Sequence, residues 1–427
     1  MEHLVQRAPD GGIYTDLGDV SKPGDVIVLE GGQEPFLYIW LGRLKGEQGN
    51  PIKIVNRNGL VRSKGGFNLT DSQEVLIAGD GDSAIAQGFL FDSGKPSTEW
   101  EAGAAVSVAG TAKGIEAYRV AANNTGYGVW CKNEPSCDDA LNKFVIERVN
   151  IHDCLFTNIR IEGMYFGSTN FLKGATNVRP IDCGGVVNPI PPPWLKDIKI
   201  SNNRFNGTGR AAIQLSYAAQ GLSEVSGNDI QNVGREYNDT QGNGINIGSF
   251  TCAIVKGNKV RNTLCAGICT FGADTTIEDN DIDLSGVLDD KVTPWAWSIW
   301  VDTRETQPFT QARLSLLRNK VGQNGSEAPD ILIADQWGLK NNIDGWMGEG
   351  NIIDGNVSTV TGQAASMAID KTFTYTSGQV IQPPSPVKEL FKRGYWTIAG
   401  KRFYYLNYKD GTWSEANSKY QPIPFSW

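Results

Sequence analysis

A β-like stretch that closes on asparagine and an apolar residue recurs through the middle of the chain and limits the folds open to it. The instances are Lys199-Ile-Ser-Asn-Asn203-Arg-Phe205, Glu224-Val-Ser-Gly-Asn228-Asp-Ile230, Ile254-Val-Lys-Gly-Asn258-Lys-Val260, Thr276-Ile-Glu-Asp-Asn280-Asp-Ile282, Leu316-Leu-Arg-Asn319-Lys-Val321 and Ile353-Asp-Gly-Asn356-Val357. Successive asparagines lie 25, 30, 22, 39 and 37 residues apart. Between them runs a second phrase, a short alternating strand bounded by turn residues: Gly163-Met-Tyr-Phe-Gly167, Ala212-Ile-Gln-Leu-Ser216, Gly244-Ile-Asn-Ile-Gly248 and Gly267-Ile-Cys-Thr-Phe-Gly272. Short strands and Gly/Asn turns at a period in the low twenties describe the coils of a right-handed parallel β-helix, an all-β solenoid. Equivalent residues then stack at about 4.8 Å. A stacked asparagine tolerates left-handed backbone geometry and bonds through its amide to its counterpart one coil away, so these positions read as structural. A propeller needs four-stranded blades of about 40 residues, and a leucine-rich solenoid needs a leucine signature that is absent. The two wide spacings read as coil insertions, Gly286 to Trp295 and Trp337 to Gly350.

Charge and composition exclude several functions. The chain has 427 residues, 39 basic against 47 acidic side chains and a net charge of −8, which leaves no basic footprint for nucleic acid or an anionic membrane. Its 2 histidines provide little for a His-rich metal centre, and no metal ligands are assigned. No window reaches 18 consecutive apolar residues, so membrane insertion is not expected. Met1-Glu2-His3 lacks the basic then apolar layout of a signal peptide, which leaves an intracellular protein or one whose leader has been replaced. Cys131 and Cys137 flank a turn-rich loop that a short disulfide would staple, favouring the second reading and a secreted, periplasmic or cell-surface location. Cys154, Cys183, Cys252, Cys265 and Cys269 read as small buried hydrophobes.

The solenoid is expected over residues 1–370. Residues 371–427 read as a Pro-rich linker and a small aromatic-rich β unit, with a hairpin turning at Ala399-Gly400. That unit is read as a cap over the last coil, with a sugar-stacking module as the alternative.

Alternation marks a strip on the outside of the coils. If Ile245 and Ile247 point inward, Asn246 points outward, and its counterparts are Tyr165, then Ala212 and Gln214 with Arg210 before them, then Ser298, Trp300 and Asp302. Trp337 lies in a flanking insertion. Tyr165, Gln214, Asn246, Trp300 and Trp337 are the candidate substrate-binding residues, and Glu162, Arg210, Arg235, Glu236 and Asp302 the candidate catalytic ones. Further ionisable candidates are Arg160, Asp239, Lys256, Arg304, Glu305, Asp330 and Asp335, each in the first instance a solvated or salt-bridged surface group. His152 reads as structural. A hydrolase needs two carboxylates across the scissile bond, for which Glu162, Glu236 and Asp302 are the candidates. A uronate lyase needs a cation beside the substrate carboxylate together with a base and an acid, for which Arg210 or Arg235 with Tyr165 or Lys256 would serve.

The segment Pro23-Gly-Asp-Val-Ile-Val-Leu29, followed by Pro51-Ile-Lys-Ile54, resembles the opening of the chondroitinase B and alginate-lyase type within the pectate-lyase-like superfamily of secreted β-helix proteins. That resemblance implies a polysaccharide partner and leaves a calcium cofactor open. The type's calcium-site Glu-x-Glu followed by a nearby Lys is not found here, so its active residues do not transfer. Gly242-Asn-Gly-Ile-Asn-Ile-Gly-Ser249 is similar to the Gly-His-Gly-Ile-Ser-Ile-Gly-Ser coil of polygalacturonases, with Asn243 in place of the histidine. Trp297-Ser-Ile-Trp-Val-Asp302 resembles the Trp-x-Asp strand of pectate lyases, with Thr303 where a histidine would follow. The expectation is a protein that binds and cleaves a polysaccharide as a lyase or glycoside hydrolase, with a non-catalytic glycan-binding or surface-attachment protein as the alternative. The oligomeric state is left open.

Overall fold

Each coil consists of three short strands separated by tight bends. In the computed structural model, Val145–His152, Leu155–Ile159 and Met164–Phe166 form one coil, and Trp194–Ser201, Arg204–Thr208 and Ile213–Leu215 form the next. Equivalent strands pair in parallel into a first sheet of 12 strands from Glu2–Val5 to Ile343–Glu349, a second of 11 beginning at Val61–Ser63 whose last strand alone is antiparallel, and a third of 12 from Ile13–Tyr14 to Met367–Ile369. The fold is a right-handed parallel β-helix. The structure describes residues 1–322 except 6, 8–9, 15–19, 42, 95–102, 134–144, 168–180, 183–186, 189–193, 219–220, 237–240, 249–250, 272–273, 285–296 and 303–311, and beyond 322 only the strands.

Inward-facing residues stack in files that run along the axis. Ile151, Ile200, Val225, Val255, Ile277 and Leu316 form the file of the first sheet. Phe156, Phe205, Ile230, Val260, Ile282 and Val321 form that of the second, with the rings of Phe156 and Phe205 stacked at 5.1 Å. Met164, Ile213, Ile245, Ile268 and Ile299 form that of the third. All are buried, and each full burial contributes about 1.5–3 kcal/mol.

The corner between the first and second sheets is held by asparagine. The Nδ2 of Asn203 donates to Asn228 Oδ1 at 3.0 Å, Asn228 to Asn258 at 2.9 Å, Asn258 to Asn280 at 3.0 Å and Asn280 to Asn319 at 2.9 Å. The same Nδ2 groups donate to the carbonyls of Ile151, Ile200, Val225 and Val255, and each Oδ1 accepts the backbone N–H of the preceding rung. An interior rung therefore has both donors and both acceptor sites used, and none of its polar capacity is left in the core. The left-handed backbone conformation falls on the residue before each ladder position, not on the ladder asparagine as the sequence led us to expect. Asp153, Asn202, Gly227, Gly257, Asp279 and Arg318 have φ between 51° and 63°. A single left-handed residue turns the chain from one sheet to the next, and the following amide locks the turn to its neighbour.

The second phrase opens on a small residue because coils approach closely there. A Cβ on Gly163 would lie 2.5 Å from the Ala212 carbonyl oxygen and 2.7 Å from the Phe205 ring, and one on Gly244 would lie 2.5 Å from the Gly267 oxygen. Ala212 occupies the same file and is buried in the core, not outward as alternation implied.

Several expectations are corrected. Cys131 is a free, fully buried thiol on the inward file of the third sheet, between Val108 and Phe166, so it does not staple the loop to Cys137, which lies outside the described residues. Asn356 does not extend the ladder, because Asn356–Ser358 folds back antiparallel on Asn351–Ile353. The second presumed insertion contains the regular first-sheet strand Ile343–Glu349. The first, at 286–295, lies outside the described residues. A longer excursion that the asparagine spacing did not reveal separates Phe166 from Trp194 and includes the antiparallel pair Ile181–Asp182 and Val187–Asn188. Near the C-terminus the chain reverses between Leu390–Ile398 and Lys401–Tyr408, and Trp413–Ala416 adds a third antiparallel strand in a sheet separate from the other three.

Replacing an interior rung tests the ladder. Asn258→Ala strands buried partners on both adjacent coils, and we expect a loss of about 2–4 kcal/mol in urea unfolding, whereas Lys259→Ala, on the exposed outer surface of the next strand, changes stability by less than about 1 kcal/mol. Equal effects of the two variants would contradict the role given to the ladder.

Candidate functional site

The turn from the second sheet to the third carries the ionisable residues. Its geometry repeats because a threonine bonds forward across it: Thr125 Oγ1 donates to the Tyr127 carbonyl at 2.9 Å, Thr208 to Arg210 at 2.6 Å and Thr263 to Cys265 at 2.7 Å. Backbone bonds stack successive turns, Arg210 N to Ile161 O at 2.8 Å and Glu236 N to Gly209 O at 2.9 Å. Glu162, Arg210 and Glu236, remote in sequence, thus arrive together from three consecutive coils. Arg210 Nε lies 2.5 Å from Glu236 Oε2, and its Nη1 lies 3.9 Å from Glu162 Oε1.

The three side chains differ in their access to water. Arg210 and Glu236 are partly open, with side-chain exposures of 23% and 27%, whereas that of Glu162 is 5%. Glu162 Oε2 is buried and has no hydrogen-bond partner. Burial pushes the Glu162 carboxyl up to about 7, aided by the charge of Glu236 and opposed by the cations Arg210 and Lys132. The site therefore contains one carboxyl that holds its proton near neutrality and a second paired to a guanidinium.

Beside this cluster runs the outward file of the third sheet: Trp130, Tyr165, Gln214, Asn246, Cys269 and Trp300. Its upstream end is aromatic. Trp130 meets Tyr165 edge-on at 5.1 Å and Tyr127 at 4.6 Å, while Lys132 Nζ sits 4.3 Å from the Trp130 ring centre and 4.4 Å from that of Tyr165. Tyr127, Trp130 and Lys132 were not among the residues singled out from sequence. The signal was present in Tyr127-Gly-Val-Trp130, which places a glycine and an outward aromatic as Gly163-Met-Tyr165 does one coil later.

The other candidates separate. Trp300 is buried with Trp297, Ala266, Cys269 and Phe271 in a small apolar cluster outside the main core, so it packs and is not an open stacking platform. Arg235 turns away from its neighbour Glu236, its Nη1 donating to Asn158 on the second sheet at 2.9 Å. Lys256 lies on the first sheet, paired to Glu224 at 3.0 Å. Arg160 precedes Glu162 on the same turn. His152 is held between Glu116 and Asp153 at 2.9 and 2.7 Å, and its pKa is raised chiefly by Glu116. The Asp302 backbone pairs with Ala334, but its side chain and Trp337, Asp239, Arg304, Glu305, Asp330 and Asp335 lie outside the described residues. Among the described residues no cluster of three or more His, Cys, Asp or Glu side chains offers a metal site.

The three-sheet coil is that of a parallel β-helix. No protein-family profile and no curated protein matches the chain. Among solved structures it is similar to an alginate lyase from Paenibacillus sp. str. FPU-7, at 16% identity and a TM-score of 0.37 over 62% of this chain and 90% of that one. It is also similar to pectate lyase Pel9A, at 12% identity and a TM-score of 0.32 over 91% of each chain.

The buried carboxyl makes stability depend on pH. Its folded pKa lies above the ordinary 4.5, so the native state holds more protons than the unfolded chain between about 4.5 and 7. Stability therefore falls as pH rises through that window, by on the order of 3 kcal/mol for this group. Glu162→Gln removes the dependence, so its urea midpoint should gain on that of the wild type as pH goes from 4.5 to 7, and a constant difference would show that Glu162 ionises normally.

Proposed function

We propose that the protein is a carbohydrate-active enzyme that hydrolyses a glycan laid across the outer face of the third sheet. The reading is carried by one observation: Glu162, buried with an unpartnered oxygen and a carboxyl raised to about 7, shares Arg210 with a second carboxylate, Glu236. Two carboxyl groups in different environments can divide the work of glycoside cleavage. Glu162 gives its proton to the glycosidic oxygen as the bond to the anomeric carbon breaks. Glu236 takes a proton from the water that adds to that carbon, and proton exchange with solvent resets both groups. Arg210 orients Glu236, and the partly open rings of Tyr127 and Trp130 provide apolar faces for a sugar ring. Such a role suits a secreted or cell-surface protein.

Elimination at a uronate is the second reading, favoured by the placement of Arg210 and Lys132 as cations on one face. Incubation with acidic and neutral polysaccharides, with calcium and with chelator, separates the two. Hydrolysis yields reducing ends alone, whereas elimination adds the ultraviolet absorbance of an unsaturated uronate. We expect reducing ends without that absorbance. Binding without products from the wild-type protein would instead favour a non-catalytic glycan-binding protein.

Because the acid must be protonated, activity should fall as pH rises through about 7. Glu162→Gln should lower kcat by about 10²–10⁴-fold, and Glu236→Gln by a similar factor. Full activity in Glu162→Gln would remove the proton donor from this assignment.

A further inference from the structure

Beyond Tyr165 the outer face changes from aromatic and charged groups to carboxamides. Gln214 and Asn246 follow Tyr165 in the outward file, and Gln241 and Asn243 lie on the turn leading into Ile245–Ile247. The same register puts Ala211 and then Asn243 at the place Glu162 holds, one and two coils on. The carboxamides thus adjoin the acid along the axis.

Their hydrogen bonding sets them apart. Gln241 Oε1, Asn243 Nδ2 and Asn246 Oδ1 are buried without a partner. Asn243 is fully enclosed, and only its Oδ1 is engaged, accepting the Ala266 N–H at 3.0 Å. The ladder shows how this chain saturates a buried amide that serves the fold, with every donor and acceptor used. Leaving such an atom unpaired costs about 1–3 kcal/mol, and here three occur within six residues of sequence, Gln241 to Asn246. They offer acceptor, donor and acceptor, a set that hydroxyl groups satisfy because each both donates and accepts. None carries a charge, and the neighbouring Arg210 and Glu236 are paired to each other.

We infer that Gln214, Gln241, Asn243 and Asn246 form a subsite for a neutral sugar unit beside Glu162, recognised through its hydroxyl groups. The inference deepens the glycan-cleaving reading and rests on it for the identity of the ligand as a sugar. An anionic sugar would place its charge against carboxamide oxygens with no cation of their own.

The test uses the full chain as Glu162→Gln, so that binding is measured without turnover. Calorimetric titrations with neutral glucans, mannans, galactans and xylans, and with polygalacturonate and alginate, are run between about 0.05 and 0.5 M salt. We expect a neutral polymer to bind with a Kd that stays within about twofold across that range, and Gln214→Ala and Asn246→Ala each to weaken binding about tenfold without lowering the urea midpoint. Binding of polyanions alone, an affinity unmoved by either substitution, or no binding to any polymer would overturn the subsite and leave the amides to ordered water. The two proposals fail separately. If wild-type protein makes no products from a neutral polymer bound as described, the hydrolase reading fails and the subsite stands. If it cleaves a polyanion with a KM unchanged in Asn246→Ala, the subsite fails and the enzyme stands.

Discussion

A buried amide with all four of its hydrogen bonds made is the constraint from which the rest of this solenoid follows. Main-chain pairing alone sets the spacing between coils but permits each to slip along its neighbour, and a slip of one residue would turn every apolar side chain outward. The ladder prevents this at one corner, since Asn228 reaches Asn258 and the Ile200 carbonyl together only in one register. With the corner fixed, the other bends are free to vary in length. The turn from the second sheet to the third takes four residues between Thr208 and Ile213 and eleven between Val233 and Ile245, and the excursion after Phe166 is longer still. The candidate site lies on the corner where length varies, supported by the one where it does not.

The two kinds of buried polar group in this chain have different consequences. Ladder amides are saturated and return what their desolvation costs. Glu162 is not: its Oε2 has no partner, Arg210 approaches its Oε1 to only 3.9 Å, and burial shifts its proton affinity toward neutrality. A carboxyl in that condition opposes folding above pH 4.5, a pattern expected where protonation serves chemistry more than stability. Unsatisfied carboxamides two coils further on extend the same departure along the axis.

Much of the architecture was legible because it depends on spacing. The asparagine phrase identified the ladder at Asn203, Asn228, Asn258 and Asn280, and alternation placed Tyr165, Gln214, Asn246 and Trp300 in one outward file. Where reading failed, the deciding fact was three-dimensional. The backbone of the residue before each ladder asparagine carries the bend, which a side-chain pattern does not reveal. Cys131 looked like half of a staple because its loop is rich in turn residues, but alternation from Val129 already directed it inward. Trp300 has the right parity for an exposed platform yet is covered by Trp297 and Phe271, from its own and the preceding coil. Arg235 and Glu236 are adjacent in sequence and diverge in space, so neighbouring charges on a turn gave no guide to which would meet Arg210.

The site also spans a change in how the solenoid is built. Upstream, the core turns on aromatic contacts, with Phe67 packed edge-on against Phe89 and Phe91 at 5.2 and 5.1 Å. Downstream it runs on aliphatic files and the ladder. Cys154 marks the junction: it occupies the ladder position of its coil and gives its N–H to Asn203 Oδ1, but its thiol has no amide to continue the chain of bonds upstream. Tyr127, Trp130 and Lys132 come from the coil before that junction, Glu162 from the junction coil, and Arg210 and Glu236 from the first two laddered coils. The paired charges are thus carried by coils whose register is pinned by the asparagine ladder, while the aromatic platform belongs to the half outside it. A ligand spanning both would join the two halves across the outer face, where the ladder does not reach.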